Sequence, residues 1–462
     1  MFDLLIYGGT IVDPEKMIKG SLAVKNGKIA EIVNEEGDRL EAKEVIDATG
    51  KMIFPGAIDC HTHFNEPGFE WREDFLHGTK SAAAGGVTTI IDMPLQNDPA
   101  TISAEIFERK VNIVQESAVV DYALWGGLVD NNVDDLEGMY DVGAVGLKSF
   151  LGPVSPDYST INSGIVRDAM KVTAPLDILI GFHAEDYSIV KYEQDKAIKE
   201  ARLNIVDYLA ARPVSAEVLA VENIVRLAKE TGAKVHICHV SHPEVAEIIK
   251  EAQSDGVKIT AETCSHYLIF SEDDFLENGP MFKCAPPLRS RQAQEQLWEY
   301  TINGTISCVA SDHSPCTIEE KEAGADNIWK AWGGISGVQS TFQVMFDEIV
   351  HQRKLSPQLL ARILAYGPAR AFNLYPQKGT LALGADADIV IVDPEASWNI
   401  TPESLLYKNK ISAFVGLTGK GLVERTIVRG ETVFTDSQIT VQSGFGRLIK
   451  VTSFTGELAN GY

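Results

Sequence analysis

Between about Phe54 and Asn373, eight short apolar runs recur with helical stretches between them. The runs are Phe54–Asp59, Val87–Asp92, Val119–Leu124, Val145–Lys148, Ile178–His183, Lys234–His239, Val257–Glu262 and Ile306–Ser311. Helical stretches between them include Ser215–Glu230 and Pro243–Ala252. Regular alternation of β and α elements implies a parallel sheet. Eight such units over a segment of this length predict a (β/α)8 TIM-like barrel within an α/β chain. The competing open, doubly wound sheet lacks its signature, because no Gly-x-Gly-x-x-Gly follows the first run.

The two ends of the chain read differently. Leu4–Tyr7, Thr10–Val12, Ser21–Val24 and Ile29–Val33 are short strand patterns, the last two joined by the turn Lys25-Asn26-Gly27-Lys28. Asp388–Val392 and Arg425–Phe434 look the same. Neither set makes a comfortable domain alone. The expectation is therefore one small β-sandwich assembled from residues 1–53 and 374–462, with the barrel occupying 54–373.

Composition narrows the partners. Lys and Arg number 41 against 65 Asp and Glu, a net charge of −24. Nucleic acid and anionic membrane surfaces attract basic patches, so neither is expected as a partner. No apolar run reaches the ~20 residues that span a bilayer, and the first residues lack the features of a signal peptide. Hydrophobic residues at 45% and charged residues at 23% are globular values. The six cysteines contain no Cys-x-x-Cys pair and are too sparse for a disulfide scaffold. A reduced, cytoplasmic setting is expected.

The chemistry lies at the strand ends. His61-Thr62-His63 follows the first barrel run, and residues two apart in an extended chain point to the same side. His183 ends the fifth run, His239 the sixth, Asp312 follows the eighth and Lys148 ends the fourth. Taken singly, each has an ordinary reading: a hydrogen-bonded structural histidine, a helix-capping Asp312, a snorkelling Lys148. Jointly they lie at strand C-terminal ends, the face of a barrel that hosts catalysis, and so predict a metal centre.

Catalytic zinc usually takes three protein ligands, so this set suits two divalent ions better. Lysine could join only as a carbamate formed with carbon dioxide, an anionic bridge that the ions would favour. Water between two ions ionises near neutral pH, and Asp312 is placed to take its proton and return it to a leaving nitrogen. Amide or imide hydrolysis without a covalent intermediate is the expected outcome, and no Gly-x-Ser-x-Gly elbow points to a serine hydrolase. Imidazole and carboxylate ligands suit zinc foremost, with manganese, cobalt or iron as alternatives.

These residues resemble the amidohydrolase superfamily, specifically its cyclic-amidase branch of dihydroorotases, hydantoinases, dihydropyrimidinases and allantoinases. Pro55–His63 is similar to the metal-binding opening of that branch, Gly146–Phe150 to its carboxylated-lysine strand, and Gly379–Asp388 to its return into the small β-domain. The resemblance implies that His61, His63, Lys148 and Asp312 hold one ion and Lys148, His183 and His239 the other. Within the branch it is greatest to allantoinases. Asn65 stands where dihydroorotases carry an arginine, and Ser311–Cys316 and Lys330–Gln339 are allantoinase-like. The tyrosine of hydantoinases and dihydropyrimidinases has no counterpart at 152–154, and the nearest one is Tyr158.

The implied reaction is opening of the hydantoin ring of allantoin to allantoate, with hydantoinase-type ring opening as the alternative. Asn65 and backbone atoms of Ala285 and Gly334 are the implied substrate contacts, and a homo-oligomer, a tetramer, is the implied assembly. Gln96, His266 after Thr263-Cys264-Ser265, and Ser290 depart from the branch pattern. His236 is expected to be structural, since positions three apart in a strand face opposite sides. His266 and His313 are expected beside the metal ligands, and His77 and His351 at the surface.

Overall fold

The computed structural model describes residues 1–34, 40–156 and 158–451. The eight predicted runs form parallel strands, except that Phe54 and Pro55 of the first run belong to a strand of the sheet built by the chain ends, so that the barrel begins at Ala57 rather than Phe54. The parallel strands are β6 (Ala57–Thr62), β7 (Val87–Asp92), β8 (Asp121–Leu124) with its short continuation β9 (Gly126–Gly127), β10 (Leu147–Phe150), β11 (Leu179–His183), β12 (Lys234–Ile237), β13 (Ile259–Cys264) and β14 (Cys308–Ala310). β6-β7-β8 pair in that order, and β9 to β14 pair in sequence order. A parallel bridge between Thr62 and His313 joins the first strand to the segment after the last. The strands form a TIM barrel. Every residue of β6, β7 and β8 is buried, as expected for strands covered by helices on the outside and by packed side chains within.

The helices follow from amphipathic spacing. Val214–Thr231 buries Ala216, Ala220, Val221, Ile224, Leu227 and Ala228 on one face and stops at Gly232, whose φ of 75° is left-handed. At the barrel base Gly56 has no room for a side chain, because a Cβ there would lie 2.1 Å from Thr88 Oγ1.

Both chain ends supply one nine-stranded sheet. Its members are β1 (Phe2–Val12), β2 (Met17–Lys25), β3 (Lys28–Asn34), β4 (Ala42–Asp47), β5 (Met52–Pro55), β15 (Ile389–Asn399), β16 (Thr418–Val428), β17 (Glu431–Thr435) and β18 (Gln438–Ile439). The two halves meet where β5 pairs antiparallel with β15, Pro55 opposite Ile389. Leu22, Ile53, Leu381, Ile389 and Ile427 share its core. The expected sandwich is thus a sheet hydrogen-bonded from one half to the other and closed over its own core. Residues 452–462 of the expected 374–462 span lie outside the described residues.

A buried lysine links this sheet to the barrel. Lys378 Nζ lies 2.6 Å from Asp121 of β8, 2.7 Å from Asp388 and 3.1 Å from Asp386. One register differs from expectation. Lys148 lies inside its strand instead of ending it, because pairing with β11 places Lys148 opposite Gly181 and Phe150 opposite His183. An apolar run shows that a strand exists, but its partner sets where it stops.

Candidate metal centre and its cavity

His61 lies on β6 and His63 directly beyond it, His183 ends β11, and His239 and Asp312 lie two residues past β12 and β14. All are buried. His239 and Asp312 adopt left-handed backbone, with φ of 39° and 45°. Such conformations cost about 1–3 kcal/mol each and persist where surrounding structure enforces them, commonly at functional sites. Here they turn both side chains back over the barrel mouth.

The distances bring five of the six predicted groups together. Asp312 Oδ1 lies 3.3 Å from His61 Nε2 and 3.4 Å from His63 Nε2. His183 Nδ1 lies 3.0 Å from His239 Nε2, and the rings of His61 and His239 have centroids 5.3 Å apart. Lys148 reaches the same region from below. Its Nζ is buried without a hydrogen-bond partner, and its charge helps depress the proton affinities of His61, His183 and His239.

Buried carboxylates behind the histidines orient them. His61 Nδ1 pairs with Glu262, which also accepts from Cys60 Sγ at 3.1 Å and from His236 Nε2 at 3.1 Å. Burial opposes ionisation of Glu262, but His61 and His236 outweigh it and hold the carboxyl well below its usual range. His183 Nε2 lies 2.8 Å from Glu185, whose other partner is Arg212. Burial again opposes, yet Arg212 and His183 draw Glu185 down to about 2. Burial lowers the pKa of His61 and His183, and burial with His183 lowers that of His239, so the imidazoles are neutral.

A neutral His61 that donates Nδ1–H to Glu262 turns a bare Nε2 lone pair toward the Asp312 carboxylate. By the same logic His183 turns a bare Nδ1 toward His239. Burial raises the Asp312 carboxyl, but His61 and His63 outweigh it and hold it below its usual range, a balance that calls for positive charge between the rings and the carboxylate. Lone pairs of neutral imidazoles converging with a carboxylate are the donor set of a divalent cation, with outer carboxylates fixing the tautomers. The arrangement fits metal ions.

The centre opens into a cavity of about 390 Å³ whose walls include His61, His63, His183, His239 and Asp312, with Gln96, Arg212, Lys283, Ala285 and Trp332 around them. Of the three implied substrate contacts, Ala285 reaches the cavity. Asn65 is fully buried and does not line it; its Nδ2 donates to Gln96 Oε1 at 3.1 Å, and Gln96 stands at the wall. The Gly334 carbonyl accepts from Lys321 Nζ at 2.6 Å, and a Cβ on Gly334 would lie 2.3 Å from Ser314 Oγ, so this glycine lets the wall pack closely.

Of the six remaining histidines, His242 caps the helix Pro243–Ser254 by accepting from Glu244 N, and the other five sort as follows. His236 is structural, bonded to Glu262 and to Thr260 Oγ1 at 2.8 Å. His266 is buried, and a nitrogen of its ring comes within 4.8 Å of Cys264 and Asp312 ligand atoms. His313 accepts from Gly337 N at 3.1 Å and stands 3.6 Å from Glu73. His77 pairs with Asp74 at 2.8 Å, and His351 lies 2.8 Å from the Pro394 carbonyl, so both are half-buried rather than free at the surface. All six cysteines are free thiols. Glu262, Glu185, Arg212 and Lys283 escape the sequence reading. His-x-Glu at 183–185 was the one signal for Glu185; the others are matched only through space.

The amidohydrolase family profile matches residues 52–433. Allantoinase from Escherichia coli (strain K12) is 40% identical over 438 residues, covering 94% of this chain and 95% of that protein. L-hydantoinase (dihydropyrimidinase) from Arthrobacter aurescens superposes with a TM-score of 0.95 at 33% identity, covering 97% and 100% of the two chains. Dihydropyrimidinase from Brevibacillus agri superposes at 0.90 with 29% identity, covering 96% and 98%.

Proposed function

The chain belongs to the amidohydrolase family, and from that premise we propose that it is an allantoinase, opening the hydantoin ring of allantoin by hydrolysis to give allantoate. The observation that carries this reading is the convergence of His61 and His63 on Asp312 at the mouth of a barrel, in a chain 40% identical to an allantoinase over nearly its whole length.

His61, His63, Lys148 and Asp312 would hold one divalent ion, and Lys148, His183 and His239 a second. Zinc suits these ligands best; manganese, cobalt and iron are the alternatives. Ions held there would supply polarisation of a carbonyl and a water nucleophilic near neutral pH. Lys148 would act in its N6-carboxylated form. A buried amine without a hydrogen-bond partner beside three imidazoles is costly, and the carbamate replaces it with an anion that cations would welcome.

The other steps belong to the chain. Glu262 and Glu185 hold the His61 and His183 rings in their tautomers. The ionised Asp312 accepts a proton from the attacking water and delivers it to the departing ring nitrogen, so no charged amide anion is released. Gln96, backed by Asn65, and the backbone at Ala285 present hydrogen-bonding groups to a small ring rich in N–H and C=O. Phe150, Tyr208, Trp329 and Trp332 supply aromatic faces to the cavity wall.

A second reading, hydantoinase, is favoured by the 0.95 superposition on an L-hydantoinase. Turnover of allantoin, hydantoin, dihydrouracil and dihydroorotate by metal-replete protein separates the two. Allantoin is expected to have the highest kcat/KM; a preference for hydantoin or dihydrouracil would transfer the assignment. We also propose a cytoplasmic homotetramer. The buried free thiols support a reducing compartment. Tyr187, Tyr192, Ile198, Val206 and Leu219, exposed on neighbouring helices, support an interface between copies. Light scattering during size exclusion reads the assembly. No helix among the described residues is long and apolar enough to cross a membrane.

A further inference from the structure

Three buried cations gather on one side of the cavity of a chain that carries a net charge of −24. Two are committed to charged or carbonyl partners within the chain. Arg212 pairs through a terminal nitrogen with Glu185, and its Nε has no partner among the described residues. Lys321 donates to three carbonyls: Lys283 at 3.2 Å, Trp332 at 3.1 Å and Gly334 at 2.6 Å. In doing so it clamps the segment at Lys283 to the 332–334 segment.

Lys283 differs. Its Nζ donates to the Ala331 carbonyl at 2.6 Å and stands 4.9 Å from the centre of the Tyr208 ring. Ala331, Tyr208 and Lys283 all line the cavity. Among the described residues no carboxylate forms a salt bridge with Lys283. Burial, with Arg212 and Lys321 close by, lowers its pKa to about 7. An amine with N–H donors to spare, placed on a cavity wall and short of an acceptor, is half of a hydrogen bond that a ligand can complete.

We propose that Lys283 is a specificity-determining residue whose amine, steadied by Ala331, donates to a carbonyl oxygen on the acyclic arm of a ring ureide. Arm-bearing rings such as allantoin are thereby preferred over the bare hydantoin ring. The inference rests on the ring-opening assignment above. A purely structural role, as a staple between Lys283 and Ala331, would make the lysine indifferent to the arm.

The experiment compares wild type, Lys283→Met and Lys283→Arg, all metal-replete. It measures kcat/KM for allantoin and the inhibition constant of hydantoin against allantoin turnover. Loss of one hydrogen bond from a charged donor predicts a fall in kcat/KM for allantoin of about 10–100-fold in Lys283→Met. Hydantoin inhibition should stay within about threefold, since it never met the amine. Lys283→Arg should recover part of the loss. Equal damage to both ligands, or no change in either, overturns the inference while leaving the ring assignment standing. Wild-type protein that does not open allantoin overturns the assignment and the inference with it.

Discussion

Lys148 is buried, with no hydrogen-bond partner for its amine and three imidazoles within reach of its charge. A side chain so placed serves stability poorly, since an uncompensated buried charge is costly. Lys148→Ala is therefore expected to leave the melting temperature close to wild type in metal-free protein while bound metal falls below one ion per chain and activity by at least ~10³-fold. That magnitude follows from loss of both polarisation and the nucleophilic water. Metal analysis by mass spectrometry alongside turnover checks it, and partial recovery with added short carboxylic acids would mark the missing carbamate. Unchanged metal content would place the lysine outside the centre. Among neighbouring residues, Glu262 and Glu185 fix which ring nitrogen of His61 and His183 carries the proton.

At the scale of elements, the site is made by what happens just after each strand. β12 and β14 end, and two residues later His239 and Asp312 turn through left-handed backbone. Asn tolerates this conformation as Asp does, so Asp312→Asn separates the carboxylate's charge from the bend that carries it. The variant is expected to melt close to wild type, because the side chain keeps its size and the residue its left-handed backbone, yet lose ~10²–10⁴ in kcat for want of the proton acceptor. Stopped-flow or steady-state turnover with calorimetry reads both, and near-normal kcat would remove Asp312 from proton transfer.

The strands and their ends were legible in the sequence because an apolar run between polar stretches is a local signal, and a histidine or aspartate at its end is local too. The register of Lys148 was not, since only pairing with β11 defines it. Glu262 is 201 residues from His61, and Arg212 and Lys283 sit in stretches with no periodic mark, so nothing along the chain joins them to the centre. The family resemblance implies a substrate contact at Asn65; in the fold its side chain donates to Gln96, one layer behind the cavity wall, which spacing cannot show. Likewise the two halves of the small domain are visible separately and their short length implies that they combine, but the junction through β5 and β15 has no mark in the sequence, since Phe54 and Pro55 read as the start of the barrel.

At the scale of the whole molecule, Lys378 holds the sheet of the chain ends to the barrel through three carboxylates, Asp121, Asp386 and Asp388. Removing Lys378 strands Asp388, while Asp121 keeps Arg429 and Asp386 keeps Lys28. Lys378→Met is expected to lower stability by about 3–5 kcal/mol, with the deficit smaller at pH 5 than at pH 7 because protonation relieves Asp388, whose carboxyl burial already raises. Denaturant unfolding at the two pH values measures it; a deficit independent of pH would mean that lost packing, not charge, is responsible.

The pairing of β5 with β15 has a further consequence for how the molecule comes into being. Pro55 waits for Ile389, and at a ribosome adding ~5–20 residues per second that wait lasts tens of seconds. During synthesis the opening strands therefore exist as an unfinished edge while the barrel closes behind them. Anything that shields nascent sheet edges, a chaperone above all, has its longest task on this chain at its very beginning.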